Sequence, residues 1–332
     1  MIITGRAAAS RVYQRAREQE WVLPCFNSEN LTTTEAILAA AQAYGNEKGI
    51  ARIPIIIGIT LQYEDRPQSA YYTHSRQWEI GLRLFLDDLR VLAGEGGPYE
   101  DVDVIIHLDH VIHRLDAGLV DWDLSQFSSI MYDASSLSMD ENIEATARFV
   151  ERYGHLVLVE GACDEIDAAG DEQSSELTSP EKAERYLRET GVDFIVANLG
   201  TEHRASVSEL RYAGDRAREI SDRIGPRLVL HGGSSVQTEA MGQLARDGIC
   251  KVNVWTLLER ESGANLLVHL VENAGKVAGA QTVKQLITKG LLGEGVPEDQ
   301  ASLNYFSTTA RQAFVFEEMK AIIHRYLSLW YR

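Results

Sequence analysis

The stretch that decides the fold is V-D-V-I-I-H-L-D at residues 102–109, a nearly continuous apolar run that ends in polar residues. A continuous run, rather than an alternating one, is typical of a parallel strand that helices cover on both faces. Seven more runs of this kind occur, each followed by a loop and a segment with helical periodicity. The eight predicted strands lie at residues 22–27, 53–60, 102–109, 128–134, 156–162, 194–200, 227–233 and 250–255.

The segments between these runs carry helix-start signals. T-T-T-E opens a predicted helix at 32–44, Ser138 opens one at 138–153, and Ser179-Pro180 opens a third with proline in its first turn. Eight strands alternating with helices favour an α/β (β/α)8 TIM barrel. A doubly wound sheet is the alternative, but no G-x-G-x-x-G follows a strand.

The chain shows no linker or repeat that would mark a second domain. Residues 61–101 form a long excursion after the second predicted strand, and helical segments follow the eighth. We therefore predict a barrel over residues 1–276 and a helical C-terminal extension of the same domain over 277–332.

Composition excludes several classes of function. The 332 residues include 32 basic and 49 acidic side chains, a net charge of −17 that disfavours binding to nucleic acid or an anionic membrane surface. Cys25, Cys163 and Cys250 show no C-x-x-C spacing, which argues against a disulfide framework. No apolar run approaches the roughly 18 residues of a spanning helix, and the N-terminus lacks a secretion-signal pattern. We expect a cytoplasmic protein.

Polar residues at the carboxyl ends of barrel strands converge on one mouth, where catalytic groups are found. His110, His203 and His231 each end or follow a different predicted strand. A single histidine is more often structural, but three imidazoles with one open position form the arrangement of a catalytic zinc site. The strand ends therefore predict a metal centre, with His107 supporting it from within its strand.

The segment that follows the seventh predicted strand is rich in small residues. Gly232, Gly233 and Ser234 come directly after His231. Small residues at a strand-to-helix turn let backbone N–H groups close on an anion, and barrels often bind phosphate at this place. The turn is thus a candidate phosphate site.

Several short motifs together resemble one family. They run from about Val22 to Thr256 in the order L-P-C-F-N, H-L-D-H, S-S-I-M-Y-D-A-S, D-E-N-I, T-G-V-D, G-T-E-H, V-L-H-G-G-S and K-V-N-V-x-T. This order and spacing is similar to that of the class II (metal-dependent) fructose-bisphosphate aldolases and of the wider ketose-bisphosphate aldolase family. The resemblance implies a zinc-dependent aldehyde-lyase of carbohydrate metabolism that cleaves or forms a ketose phosphate through a metal-stabilised enediolate.

The resemblance also implies a cofactor and its ligands. His110, His203 and His231 would bind Zn²⁺ or another divalent metal, and Asp133 would lie at an accessory metal position. A monovalent cation is a further candidate cofactor. The implied partners are a small anionic sugar substrate and further copies of the chain, as a homodimer or homotetramer.

Substrate contacts follow from the same resemblance. Asp109 would move the proton of the C4 hydroxyl, and Asn253 would hydrogen-bond the enediolate. Neighbouring side chains on a strand point to opposite faces, so Asp109 and His110 can both face the mouth only if the strand bends there. The alternative for Asp109 is to orient a metal-bound histidine. Ser234 and Thr256 would hold a phosphate, and the residues that would face the substrate are Asn27 and Thr60.

Four residues depart from the family pattern, namely Ala162, Arg204, Trp255 and Ser235. Arg204 stands in place of a glycine and offers a bidentate fork to a phosphate or carboxylate of the substrate. Trp255 stands where an aspartate helps hold the phosphate. The departures leave two alternatives open: a lyase or carboligase acting on a carboxylated or non-bisphosphate sugar, and a non-catalytic metal-binding relative.

Two further assignments stay open. The acidic segment at 163–176 would supply a proton shuttle from a mobile loop, for which Glu165, Asp167, Asp171 and Glu172 are candidates. Arg311 is a candidate for an arginine lent to a neighbouring subunit.

Overall fold

The computed structural model describes residues 1–64, 66–164, 176–201 and 212–331. The strands of this part are β1 (Ile2–Ile3), β2 (Leu23–Asn27), β3 (Pro54–Thr60), β4 (Asp103–Ile112), β5 (Ser129–Asp133), β6 (Leu158–Ala162), β7 (Phe194–Val196), β8 (Leu228–Leu230) and β9 (Ile249–Val254). The helices are α1 (Gly5–Glu18), α2 (Leu31–Lys48), α3 (Gln68–Tyr71), α4 (Trp78–Ala93), α5 (Met139–Tyr153), α6 (Pro180–Thr190), α7 (Gly214–Ile224), α8 (Thr238–Met241), α9 (Thr256–Glu272), α10 (Ala274–Ala278), α11 (Ala280–Thr288), α12 (Leu303–Phe306) and α13 (Thr308–Trp330).

Strands β2 to β9 form a closed parallel barrel. Each pairs with the next, β9 pairs back with β2, and β4 with β5 completes the ring. Each of the eight predicted apolar runs contains or overlaps one of these strands, so the (β/α)8 prediction is confirmed. The strands are buried almost throughout, as expected for a sheet with side chains packed inside and helices outside.

Strand β4 is irregular where it reaches the mouth. Its pairing with β5 shifts register between Leu108 and Val111, and His110 has φ +45°. A positive φ is uncommon for a residue other than glycine, and such strain collects at functional sites. The irregularity is the bend that the adjacent Asp109 and His110 require, because it interrupts the alternation of side chains.

The helix starts agree with the sequence except in one detail. Helix α5 begins after Ser138 with a complete capping box, and α6 begins after Ser179 with Pro180 in its first turn. Helix α2 is capped by Asn30, whose side chain accepts hydrogen bonds from the N–H groups of Thr32 and Thr33. The T-T-T-E pattern was therefore the wrong cap, because Asn30 precedes it and supplies the acceptor.

The terminal helices pack against the outside of the barrel. Helix α1 lies against β5, β6 and β9, and the sequence analysis did not identify it. Helix α13 packs on α2 and α9, and its aromatic end is buried: the Trp330 indole donates to the carbonyl of Met241 at 3.1 Å. That end contributes to the core, while the domain limits at 276 and 277 remain a prediction.

Two exclusions made from the sequence can be compared with the structure. Cys25, Cys163 and Cys250 are all free thiols. Among the described helices, none is both long enough and apolar enough to cross a membrane.

The cap of α2 gives a test of the fold. Asn30→Ala removes the acceptor for two N–H groups at the start of the helix, so the free energy of unfolding should fall by about 1 kcal/mol. Urea denaturation followed by circular dichroism measures it. Asn46→Ala is the matched control, because Asn46 is exposed within the same helix and alanine has the higher helix propensity. Equal destabilisation by both changes would contradict the capping role.

Candidate active site

Three potential metal ligands meet at the carboxyl end of the barrel. Asp109 and His110 come from the end of β4, and His231 directly follows β8. All three are buried, and each offers a ligand atom within 4.8 Å of those of the other two. Two of the three histidines predicted to bind the metal, His110 and His231, are therefore brought together, while His203 lies outside the described residues.

His110 is held by two contacts. Its Nδ1 lies 2.8 Å from Oδ2 of Asp133, and the ring of Tyr63 stacks on it with centroids 4.5 Å apart. Because Nδ1 is engaged, Nε2 is the nitrogen that can coordinate an ion, as in carboxylate–histidine–metal sites. Burial would lower the pKa of His110, but Asp109 and Asp133 outweigh it and raise the pKa above its usual value.

Asp133 is thus an orienting partner of His110. Its second oxygen, Oδ1, accepts hydrogen bonds from the backbone N–H and the hydroxyl of Ser135, at 3.0 and 2.6 Å. With both oxygens engaged, the carboxylate is fixed beside the histidine. The accessory-metal role expected of Asp133 remains a prediction.

Asp109 is held by amides on both sides. Asn27 donates to Oδ2 at 2.7 Å, and Asn253 donates to Oδ1 at 3.1 Å. Burial would raise the pKa of Asp109, but the surrounding imidazoles, with His110 foremost, hold the pKa well below its usual range. The result is an ionised carboxylate in a defined orientation, next to the histidine that would bind a metal.

The glycine turn has the geometry of a narrow anion site. Gly232 has φ +65°, and a Cβ on Gly233 would lie 3.0 Å from the carbonyl oxygen of Asn253. Side chains are therefore disfavoured at both positions. Ser234 follows on the same turn and Thr256 begins α9, and both line the pocket together with the two glycines. Turns of small residues and helix starts offer backbone N–H groups to anions.

Most of the predicted site residues lie around one pocket. The predicted residues that line it are Asn27, Thr60, Asp109, His110, His231, Gly232, Gly233, Ser234, Asn253 and Thr256. His203 and Arg204 fall outside the described residues, as do Glu165, Asp167, Asp171 and Glu172. Glu160 and His107 are fully buried inside the barrel.

The sequence analysis missed a second set of polar residues at the mouth. Glu29 is buried, accepts from the Trp255 indole at 2.7 Å and from Gln68 at 3.1 Å, and forms an ion pair with Arg66. Its place two residues after the strand-end Asn27 was the available signal. Trp255, one of the four departures from the family pattern, thus has a carboxylate partner for its indole N–H.

This set continues to Asp109. The side-chain oxygen of Gln68 accepts from Asn27 at 3.1 Å and from the backbone N–H of Thr60 at 3.0 Å. Asn27 in turn donates to Asp109. A chain of hydrogen bonds therefore runs from Trp255 through Glu29, Gln68 and Asn27 to Asp109, and we call it the mouth network.

Comparison with known proteins identifies a family that this chain matches. Residues 7–315 match the sequence profile of the family described as fructose-bisphosphate aldolase class-II. A fructose-bisphosphate aldolase of Giardia intestinalis is 28% identical over 271 residues, covering 72% of this chain and 75% of the relative. A sulfofructosephosphate aldolase of Alkalicoccus urumqiensis is 35% identical over 163 residues, covering 47% and 56%.

A solved structure shows the same fold. Fructose-bisphosphate aldolase from Campylobacter jejuni superposes with a TM-score of 0.76 at 18% identity, covering 99% of this chain and 96% of that one. The family profile spans nearly the whole chain, barrel and mouth included. The chain therefore belongs to the class II fructose-bisphosphate aldolase family and is an aldehyde-lyase of that type.

Proposed function

We propose that the protein is a zinc-dependent aldolase that cleaves or forms a ketose phosphate through an enediolate. The observation that carries the proposal is the cluster of Asp109, His110 and His231, whose ligand atoms lie within 4.8 Å of one another at the barrel mouth. A proton-transfer group next to metal-binding imidazoles is what a metal-dependent aldol cleavage needs.

The donor set fits a zinc ion. His110 and His231 would hold it through imidazole nitrogens. The sequence resemblance implies His203 as the third histidine ligand, which would leave one position open. When bound, the ion supplies positive charge that stabilises the enediolate oxygens. Asp133 supports the proposal because its hydrogen bond orients His110 for coordination.

Asp109 is proposed as the acid/base. In the direction of cleavage, its ionised carboxylate takes the proton from the C4 hydroxyl as the carbon–carbon bond breaks, and in synthesis it returns the proton. Asn27 and Asn253 keep the two carboxylate oxygens in place, at 2.7 and 3.1 Å. The side-chain oxygen of Asn253 is available to accept from an enediolate hydroxyl.

The proposed phosphate site is the glycine turn. Gly232, Gly233, Ser234 and Thr256 all line the pocket, and the backbone N–H groups of the glycines with the two hydroxyls would bind the phosphate. The relatives' names include a fructose bisphosphate and a sulfofructose phosphate, so a ketose that carries at least one phosphate is the substrate class that the two names share.

Assembly and location also remain predictions. The homodimer or homotetramer is supported by exposed apolar side chains on the C-terminal helices, with Leu267, Val268 and Leu303 exposed by 64%, 54% and 70%. We propose a cytoplasmic location, as expected from the sequence.

Metal removal and one substitution test the proposal. Treatment with a chelator should abolish aldehyde release from ketose phosphates, and zinc should restore it. Asp109→Ala should lower kcat by ~10²–10⁴-fold, the scale of lost acid/base catalysis, while zinc content stays unchanged. Asp101→Ala, at an exposed aspartate before β4, is the control. Activity that survives chelation, or full turnover by Asp109→Ala, would contradict the proposal.

A specific observation favours a second candidate, the same chemistry on a non-bisphosphate ketose. Among the described residues that line the pocket, Arg66 alone carries a full positive charge at neutral pH, and Glu29 already pairs with it. A second carboxyl, that of Glu259, lies close enough to interact electrostatically with both Glu29 and Arg66. A second phosphate at this end would meet carboxylates rather than a free cation.

Comparing the 1-phosphate and the bisphosphate of the same ketose as substrates tests this candidate. A ketose 1-phosphate should be cleaved with a kcat/KM about tenfold or more above that of the matching bisphosphate, because one uncompensated charge contact costs about 1.4 kcal/mol or more. Glu29→Gln should narrow the difference, since it removes one negative charge and frees Arg66. A bisphosphate preference in the wild type would rule the candidate out.

The buried carboxyl of Glu259 should make the free energy of unfolding depend on pH. Burial, then Glu29, raises the pKa of Glu259 to about 7. A folded-state pKa above the unfolded value means that ionisation opposes folding. The cost is absent below the unfolded pKa, grows as pH rises, and is complete above about pH 7. Glu259→Gln should therefore raise the free energy of unfolding by on the order of 3 kcal/mol near pH 8 and by less than half of that near pH 5.5.

Urea denaturation at both pH values measures the effect. Glu272→Gln is the control, because Glu272 is an exposed glutamate at the end of the same helix. The control should shift the free energy of unfolding equally at the two pH values. A pH-independent effect of Glu259→Gln would show that the carboxyl is not the buried acid described above.

A further inference from the structure

A second polar cluster lies inside the barrel, below the mouth. Lys251 of β9, Glu160 of β6 and His107 of β4 are each fully buried. The Lys251 ammonium donates to Oε2 of Glu160 at 2.8 Å and lies 3.0 Å from Nε2 of His107. We call these three residues the floor cluster.

The floor cluster determines the protonation of His107. A lysine ammonium only donates hydrogen bonds, so Nε2 of His107 must accept. Nδ1 then carries the ring proton and donates to the hydroxyl of Ser129, 2.8 Å away. Both ring nitrogens are used, and the imidazole is fixed in one tautomer and one orientation.

His107 is placed to support Asp109. The two residues are separated by two positions on β4, so their side chains lie on the same face of the strand. Nε2 of His107 is 3.7 Å from Oδ1 of Asp109, in contact but beyond hydrogen-bonding distance. The fixed ring of His107 therefore limits how the Asp109 carboxylate can move, and the amides of Asn27 and Asn253 hydrogen-bond the same carboxylate.

Lys251 itself does not reach the substrate pocket. Its ammonium has no exposure, and it is absent from the pocket lining. Burial would lower the pKa of Lys251, but Glu160 outweighs it and keeps the pKa above its ordinary value. A charged, enclosed amine is not a nucleophile, so the lysine does not act by forming a Schiff base.

We propose that Lys251 is a positioning residue for the aldol reaction. Held by Glu160, it fixes the ring of His107, and that ring keeps the carboxylate of Asp109 in the orientation that proton transfer requires. The inference rests on the proposed function, because it takes Asp109 as the acid/base. A buried ion pair often stabilises a protein no more than well-packed apolar residues would. A role in orienting His107 therefore explains the presence of this pair better than a contribution to stability does.

The test removes both charges together. Lys251→Met alone leaves Glu160 buried without a partner and endangers folding, whereas Lys251→Met with Glu160→Leu leaves an apolar interior. The control is Arg52→Met with Asp103→Leu, which removes an ion pair elsewhere in the protein. Asp103 begins β4, the strand that carries His107 and Asp109 near its other end. Thermal unfolding and zinc content establish that each double variant is folded and loaded.

Two measurements that do not depend on enzymatic activity then test the inference. Nitrogen-15 NMR of the imidazoles, with His107 assigned through His107→Gln, should show the Nδ1–H tautomer in the wild type. Crystal structures should show the Asp109 bonds to Asn27 and Asn253 in the wild type and the control, and their loss in the Lys251/Glu160 variant. An Nε2–H tautomer, or an unmoved Asp109 in that variant, overturns the inference.

Kinetics provide the third readout. The Lys251/Glu160 variant should lose about tenfold or more in kcat, with KM within about twofold of the wild type, because misplacing a catalytic group acts on the chemical step. Wild-type kcat in that variant overturns the positioning role. If the wild-type protein cleaves no ketose phosphate with any metal, the proposed function fails instead, and the NMR and crystallographic results still decide how Asp109 is held.

Discussion

The site depends on one backbone irregularity, the positive φ of His110 at the end of β4. In a regular strand Asp109 and His110 would point to opposite faces, and one of them would leave the mouth. The register shift between Leu108 and Val111 removes that restriction. Asp109, the proposed proton-transfer group, and His110, the proposed metal ligand, can then occupy neighbouring positions in the chain and still line the same pocket.

Strain at His110 has to be compensated by its surroundings, and the contacts show how. Asp133 binds one ring nitrogen, and Tyr63 stacks on the ring face. The first contact comes from the last residue of β5 and the second from the segment after β3, so two other strands help to hold the residue in place. The same logic applies to Asp109, whose amide partners come from β2 and β9.

The sequence was informative where local pattern determines structure. Continuous apolar runs identified β2 to β9, and the requirement for a bend beside His110 followed from two adjacent functional residues. Contacts between distant loops were not predictable in this way. Gln68 lies on a short helix in the excursion after β3, and no pattern indicates that its amide would join Glu29 to Asn27. Helix α1 is a different case, because its buried residues Ala9, Val12, Tyr13 and Ala16 do follow the spacing of one helical face, although five arginine or glutamate side chains interrupt its 14 residues.

The mouth network gives a physical account of the departure at Trp255. An indole offers one N–H and no acceptor, so a tryptophan at this place needs a carboxylate or carbonyl nearby. Glu29 meets that need and at the same time neutralises Arg66. The two residues therefore form a matched pair, in which bulk and a hydrogen bond replace the small acid of the family pattern. Gln68 and Asn27 connect this pair to Asp109. A substrate group that binds against Trp255 would therefore also act on the orientation of the proposed acid/base. Substrate choice and catalysis would then be coupled through four side chains, without any change to the histidines proposed to bind the metal.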